Sequence, residues 1–253
     1  MSVLDRFRLD GKTLLITGGS KGLGREMALA CADAGADVVF VGRSEESLAS
    51  TTKEIEARGR KAFPVLGDVS RPDECESLSQ KILSEHQIDI LINNVGGRRI
   101  NVPLEEQTLE QWQQILDLNL TSMFLLTRDV GGRMKAESRP GTIINIASIS
   151  GLVANPNIGG VSYEVSKAAA IQFTRTAAVQ WAKNNIRVNA ICPGGFMTEP
   201  NQRWAKDHPE VIEKFLQTIP VGSYGNPADL GPLAVYLASD ASAYMTGAAI
   251  VID

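Results

Sequence analysis

Cysteine and histidine are scarce in this chain of 253 residues, which carries three cysteines, Cys31, Cys75 and Cys192, and two histidines, His86 and His208. Residues so few and so scattered leave no room for a disulfide framework or a zinc site, and metal catalysis is not expected. Cys192 closes an apolar run with no histidine near it in sequence, so it reads as packing rather than as a thiol nucleophile. Clustered basic charge is missing as well. The formal charge of −4 argues against a nucleic-acid or anionic-membrane surface, which needs grouped Lys and Arg, and favours a small-molecule partner. No stretch reaches the roughly 18 apolar residues of a membrane span, and the start, Ser2-Val3-Leu4-Asp5-Arg6-Phe7-Arg8, is broken by charge where an export signal would be apolar. A soluble, cytoplasmic protein is expected. Repeats, low-complexity stretches and Pro/Gly linkers are also absent, and with 43% hydrophobic residues the chain can fill one large core, so residues 1–253 read as a single domain.

What is present is an alternation of short apolar runs with longer segments of helical period. Strands are expected at Thr13–Thr17, Asp37–Val41, Ala62–Leu66, Ile88–Ile92, Thr142–Ala147, Arg187–Ile191 and Ala248–Val251. Helices are expected between them, including one long helix within Leu109–Lys135 and another over Ser162–Asn184. Strands such as Asp37-Val38-Val39-Phe40-Val41 are apolar on both faces, as parallel strands covered by helices on each side must be. The fold class is therefore α/β, a doubly wound parallel sheet of the Rossmann type with about seven strands. Ligands of such sheets lie beyond the carboxyl ends of the strands.

Two features at those ends carry chemistry. Thr17-Gly18-Gly19-Ser20-Lys21-Gly22-Leu23-Gly24 follows the first strand and opens the first helix, where glycines allow close backbone approach to a pyrophosphate and free N–H groups favour an anion. The alternative is a plain glycine-rich turn. In Tyr163-Glu164-Val165-Ser166-Lys167 the phenol and the ammonium stand four residues apart, on one helix face, so the cation can favour phenolate. An isolated pair of this spacing is more often a surface Tyr and a solvated Lys. A site selective for NAD places an Asp or Glu at the end of the second strand for the ribose 2′-hydroxyl; here the strand ends Val41-Gly42-Arg43. Arg43, with Lys21, suits a 2′-phosphate instead, so NADP is preferred, NAD remains possible, and the alternative is two solvated charges.

With Asp68 after the third strand, Asn93-Asn94-Val95-Gly96 after the fourth, Asn119 in Leu118-Asn119-Leu120, Ser148 after the fifth and Pro193-Gly194 after the sixth, the chain resembles the short-chain dehydrogenase/reductase family from end to end. The resemblance implies that Tyr163 is the general acid and base, that Ser148 polarises the carbonyl oxygen, that Lys167 lowers the Tyr163 pKa and holds the nicotinamide ribose, and that Asn119 anchors a proton path. It also implies cofactor contacts from Gly18, Ser20, Gly22, Leu23 and Gly24 in the turn, from Asp68 and Val69 at the adenine, from Asn94 and Gly96, and from Pro193, Gly194 and Thr198. Val95 departs from the smaller residue common in the family, the loop through Leu152–Gly160 is longer than in many relatives, and the chain ends at Asp253 where many relatives carry on with glycines and a short tail.

The segment after the sixth strand, 195–217, is expected to be a lid over the substrate, with Gly195 beside the substrate and Phe196, Met197 and Trp204 as apolar walls; the alternative is that Trp204 and Phe215 only pack the lid onto the body. Ser150 is placed with the substrate residues. Arg98 and Arg99 follow the fourth strand, where a guanidinium would suit a carboxylate, as in gluconate 5-dehydrogenase-like members; two solvated arginines are the alternative. Against a 3-oxoacyl-carrier reductase, the helix position where those relatives present an arginine is Val179. The expected reaction is hydride exchange between NADP(H) and a small carbonyl or secondary alcohol, the competing class being a dinucleotide-binding regulatory protein without turnover. The two long helices resemble those of the family's dimer interface and imply a homotetramer, with Gly131-Gly132 either allowing close helix approach or marking a fraying end.

Overall fold

The computed structural model describes residues 2–98, 100–154, 160–198, 202 and 209–253. Seven strands, β1 (Thr13–Thr17), β2 (Asp37–Gly42), β3 (Ala62–Leu66), β4 (Ile90–Asn93), β5 (Gly141–Ile146), β6 (Ile186–Pro193) and β7 (Ala249–Ile252), form one parallel sheet in the order β3-β2-β1-β4-β5-β6-β7. The order reverses between β1 and β4, which opens a crevice at their carboxyl ends. The pleat explains the continuous apolar runs. Leu14, Ile16, Val38, Phe40, Ile90 and Ile92 enter one core cluster, while Leu15, Val39, Val41 and Leu91 enter another, so alternate side chains of each strand are buried on opposite faces. Pro64, which cannot donate to a ladder, sits in β3 at the sheet edge, paired only with β2.

The helices are α1 (Gly22–Asp33), α2 (Glu45–Glu56), α3 (Pro72–Glu85), α4 (Leu109–Leu116), α5 (Ser122–Ala136), α6 (Val161–Trp181), α7 (Pro209–Leu216) and α8 (Leu230–Ala238). Their starts follow local chemistry: Ser44 accepts from the Ser47 N–H, Pro72 opens α3, and Thr108 with Gln111 forms a capping box at α4. The long helix expected within Leu109–Lys135 is interrupted by a π-helical turn, Asp117–Thr121, a one-residue insertion that periodicity does not register. Gly131 serves a contact inside the chain, since a Cβ there would meet the Trp181 ring of α6, whereas Gly132 faces open space. No helix among the described residues is long and apolar enough to cross a membrane.

A buried polar ladder crosses the sheet one layer below the strand ends. Asn93 Nδ2 donates to Thr127 Oγ1 and Asn145 Oδ1, both at 2.9 Å; Asn145 Nδ2 donates to Thr174 Oγ1 at 2.9 Å; and Thr174 Oγ1 donates to the Ala170 carbonyl at 2.8 Å. It ties α5 through β4 and β5 to α6, with every side chain buried. Asn145→Ala strips two buried partners of a bond, each at about 1–3 kcal/mol, and is expected to lower stability by about 2–6 kcal/mol. Urea unfolding checks this, and a loss under about 0.5 kcal/mol contradicts it.

Candidate active site

The glycine turn is held by groups at the end of β4. Thr17 Oγ1 accepts from the N–H groups of Asn94 at 3.0 Å and Val95 at 3.1 Å, and Asn94 Nδ2 donates to the Thr17 carbonyl at 2.9 Å. Gly18 and Gly22 have φ of +65° and +54°, which glycine adopts without strain. At Gly24 a Cβ would run into the Gly18 carbonyl, and at Gly18 it would come 3.1 Å from Val95 Cγ2. Val95, larger than the residue common at its place, fits because Gly18 has no side chain. Lys21 is extended at the start of α1 with no side-chain cap, so the first N–H groups of the helix face the turn without a side-chain acceptor, as an anion cradle requires. Thr198 of the 195–217 segment approaches the same turn, within 3.7 Å of the position a Gly22 Cβ would take.

On the other side of the turn lie the residues read as the adenosine end. Ser20 is buried and accepts from Ser47 Oγ at 3.4 Å, while Leu23 packs against the core. Arg43 is exposed and pairs with Asp68 at 3.4 Å. Burial pulls the Asp68 carboxyl up, but hydrogen bonds from Ser70 and the charge of Arg43 hold it below the usual range. The Val69 side chain goes into the core of the α3 and α5 face. Pro193 ends β6, buried, and the Gly194 N–H donates to the Ile252 carbonyl at 2.9 Å, with the Asp253 side chain standing where a Gly194 side chain would be.

The residues read as proton-handling converge from three elements. Ser148, at the end of β5, accepts from the Ser150 N–H at 3.1 Å and hydrogen-bonds Tyr163. Burial pushes the Tyr163 phenol above its ordinary value, Ser148 and the positive charge of Arg98 pull it back, and Glu164 adds to the rise. Lys167, one turn along α6, is 2% exposed, and its Nζ donates to the Ile146 carbonyl at 2.8 Å. Its Nζ stands 5.8 Å from the centroid of the Tyr163 ring. Asn119, in the π-helical turn, accepts from the Gly97 N–H at 2.9 Å and donates to the carbonyls of Gly97 and Ile115, each at 3.0 Å. Gly96 lies between the two: a Cβ there would stand 2.7 Å from Asn119 Oδ1 and 2.8 Å from Lys167 Nζ.

The substrate residues separate. Arg98 lies over the Tyr163 ring at 4.6 Å, donates to Ser150 Oγ at 3.1 Å and pairs with Glu164 at 3.6 Å. Gly195 faces a stacked pair, Phe215 and Tyr224, and Met197 is half-buried. Phe196 is buried among core residues and packs on Gly225, to which a strand-like bridge joins it. Arg99, Trp204 and most of the lid before α7 lie outside the described residues. Cys192 is buried in β6, where burial pushes its thiol up. Sequence reasoning missed Gly160 and Glu164 as neighbours of Arg98; the acid beside Tyr163 and a glycine before the helix were the available signals.

The buried ammonium has a measurable consequence. Burial lowers Lys167 from 10.5 to about 8, so the unfolded chain holds more protons between those values and stability rises with pH across that window. Below about 8 the penalty is fully present. The stability of Lys167→Met minus that of the parent is expected to be greatest below pH about 8 and to shrink towards 10.5. Urea unfolding at several pH values reads it, and a pH-independent difference contradicts the buried ammonium.

Comparison with known proteins agrees with this geometry. The family model described as enoyl-(acyl carrier protein) reductase matches residues 18–253. The chain is 36% identical to 2-dehydro-3-deoxy-D-gluconate 5-dehydrogenase of Bacillus subtilis over 98% of this chain and 96% of that protein. It is also 36% identical to 3-oxoacyl-[acyl-carrier-protein] reductase of Thermotoga maritima, over 97% of this chain and 98% of that protein. A crystal structure of gluconate 5-dehydrogenase from Burkholderia cenocepacia, in complex with NADP and tartrate, superposes with a TM-score of 0.90 at 32% identity, covering 100% of this chain and 97% of that one. On a match of this extent, and with the glycine turn at one side of the crevice and the tyrosine and lysine at the other, the chain belongs to the short-chain dehydrogenase/reductase family of NAD(P)-dependent oxidoreductases.

Proposed function

We propose that this enzyme interconverts a small oxo compound and the corresponding secondary alcohol with NADP(H), Tyr163 serving as general acid and base. The observation that carries this reading is the convergence of Tyr163, Ser148, Asn119 and Lys167 at the strand ends beside the glycine turn. The turn fits a dinucleotide: its glycines leave the backbone bare where side chains would collide, and the start of α1 offers N–H groups to a pyrophosphate. The chemistry that NADPH would supply, when held at this turn, is a hydride for the carbonyl carbon. Ser148 donates to the carbonyl oxygen, and Tyr163, kept a neutral phenol by burial, gives that oxygen its proton as charge develops there. Lys167 and Asn119, locked on Ile146, Gly97 and Ile115, orient the ribose side of the site. NADP is favoured over NAD because β2 ends in Gly42-Arg43-Ser44 with no carboxylate for a 2′-hydroxyl, and because the related structure carries NADP.

An oxo acid is the favoured substrate. Arg98 brings a guanidinium to the face of Tyr163, suited to a carboxylate, and the related dehydrogenases act on gluconate derivatives. A carrier-bound acyl substrate is less well served: Val179, 81% exposed on α6, stands where carrier reductases commonly present an arginine. Assembly as a homotetramer through α5 and α6 is part of the proposal. It is supported by the exposed Phe124, Val165 and Val179 and by an apolar groove between Leu120, Phe124 and Phe173.

Initial rates of NADPH and NADH consumption, measured across keto-sugar acids, 3-oxoacyl thioesters, cyclic ketones and diketones, test the reading. Turnover is expected with a keto-sugar acid and NADPH, and Tyr163→Phe is expected to lower kcat by at least ~100-fold with cofactor affinity retained. Near-normal turnover in that variant removes Tyr163 from the role of acid.

A further inference from the structure

The cation lying on the Tyr163 ring is Arg98, from the loop after β4. Its guanidinium carbon stands 4.6 Å from the ring centroid, against 5.8 Å for Lys167 Nζ, and Lys167 is turned to the Ile146 carbonyl. Arg98 also reaches the second proton-handling residue. Nη2 donates to Ser150 Oγ at 3.1 Å, and the Ser150 N–H donates to Ser148 Oγ at 3.1 Å. Glu164 holds the other side of the guanidinium at 3.6 Å, and the two side chains are 18% and 20% exposed. Their charges are therefore screened less than a surface pair would be.

The backbone makes room for this arrangement. Gly160, just before α6, has φ of +122°, and a Cβ there would stand 2.9 Å from Arg98 Nη1 and 3.1 Å from its Cγ. A side-chain-bearing residue would be strained at that φ and would crowd Arg98 off the ring. Among the described residues, the charged and titratable groups facing Tyr163 are thus Arg98 from the β4 loop, with Glu164 and Lys167 from α6; Ser148 adds a hydroxyl from the end of β5.

We propose that Arg98 and Glu164 form an opposed pair of positioning residues that sets the ionisation of Tyr163, the guanidinium stacked on the ring favouring phenolate and the carboxylate beside it restraining that effect. This rests on Tyr163 being the acid and base. A carboxylate-bearing substrate drawn to Arg98 takes up part of the same guanidinium, so substrate binding and the proton balance of Tyr163 share one group. The directions of the phenol's response agree, Arg98 pulling it down and Glu164 pushing it up.

The test reads the phenol itself and needs no substrate. Protein labelled with 13C at tyrosine Cζ is titrated by NMR in its NADP⁺ complex, with Tyr163→Phe identifying the resonance among the four tyrosines. At a fixed alkaline pH, Arg98→Met is expected to lower the phenolate-to-phenol ratio of Tyr163 by at least about threefold, and Glu164→Gln to raise it by a similar factor, as loss of one neighbouring charge requires. Arg98→Lys, which keeps the charge, is expected to lie between Arg98→Met and the parent. Equal ratios in parent and Arg98→Met, including equal absence of phenolate, overturn the proposal. So does a shift of the same sign in Arg98→Met and Glu164→Gln, which marks a packing effect. Loss of the general-acid role appears separately, as turnover surviving in Tyr163→Phe.

Discussion

An ammonium buried at the end of a parallel sheet is the constraint around which this site is built. Lys167 has almost no contact with water, and its Nζ is bonded to the carbonyl of Ile146, the last residue of β5. An isolated buried cation would be costly, and partners must offset the loss of hydration. Several local features follow from that need. Gly96 lacks a side chain because one would displace both the ammonium and Asn119. Asn119 is carried into place by a π-helical turn and is locked by Gly97 and Ile115. The polar ladder from Thr127 to Thr174 then fixes the two helices bearing Asn119 and Lys167 relative to β4 and β5.

The dinucleotide turn and the proton-handling residues come from opposite sides of the crevice, and β4 joins them. Asn94 and Val95 hold the turn through Thr17, while Gly96 and Gly97, the next residues, touch Lys167 and Asn119. A short segment thereby sets the distance between the glycine turn and the Lys167–Asn119 side of the crevice. Thr198 reaches Gly22 from the segment after β6, so that segment bears on the glycine turn. The Phe215–Tyr224 stack fastens the end of α7 over Gly195.

Much of this was legible in the sequence. Strands apolar on both faces required helices on both sides, and the glycine turn between a strand and a helix located the cradle. The fold and the family follow from those patterns. Tertiary geometry supplied the rest. Periodicity joined α4 and α5 into one helix because a single inserted residue leaves the apolar face nearly in register. Phe196 reads as pocket wall from its place after β6, and spacing carries no information on its burial among core residues beside Gly225. The four-residue spacing of Tyr163 and Lys167 puts them on one helix face, yet spacing carries no information on the Ile146 carbonyl to which Lys167 turns. Arg98 as the cation over the phenol depends on a glycine conformation far along the chain.

Hydride transfer in the crevice is checked by following the hydride itself. NADPH deuterated at the transferring C4 position is supplied with a keto-sugar acid, and the product is analysed by mass spectrometry. The account predicts one deuterium in the alcohol, on the former carbonyl carbon, and its loss from the cofactor. Cofactor that binds at the glycine turn while keeping its deuterium, across the keto-sugar acids and simple ketones, would contradict the account and leave this fold as a dinucleotide-binding protein without redox turnover.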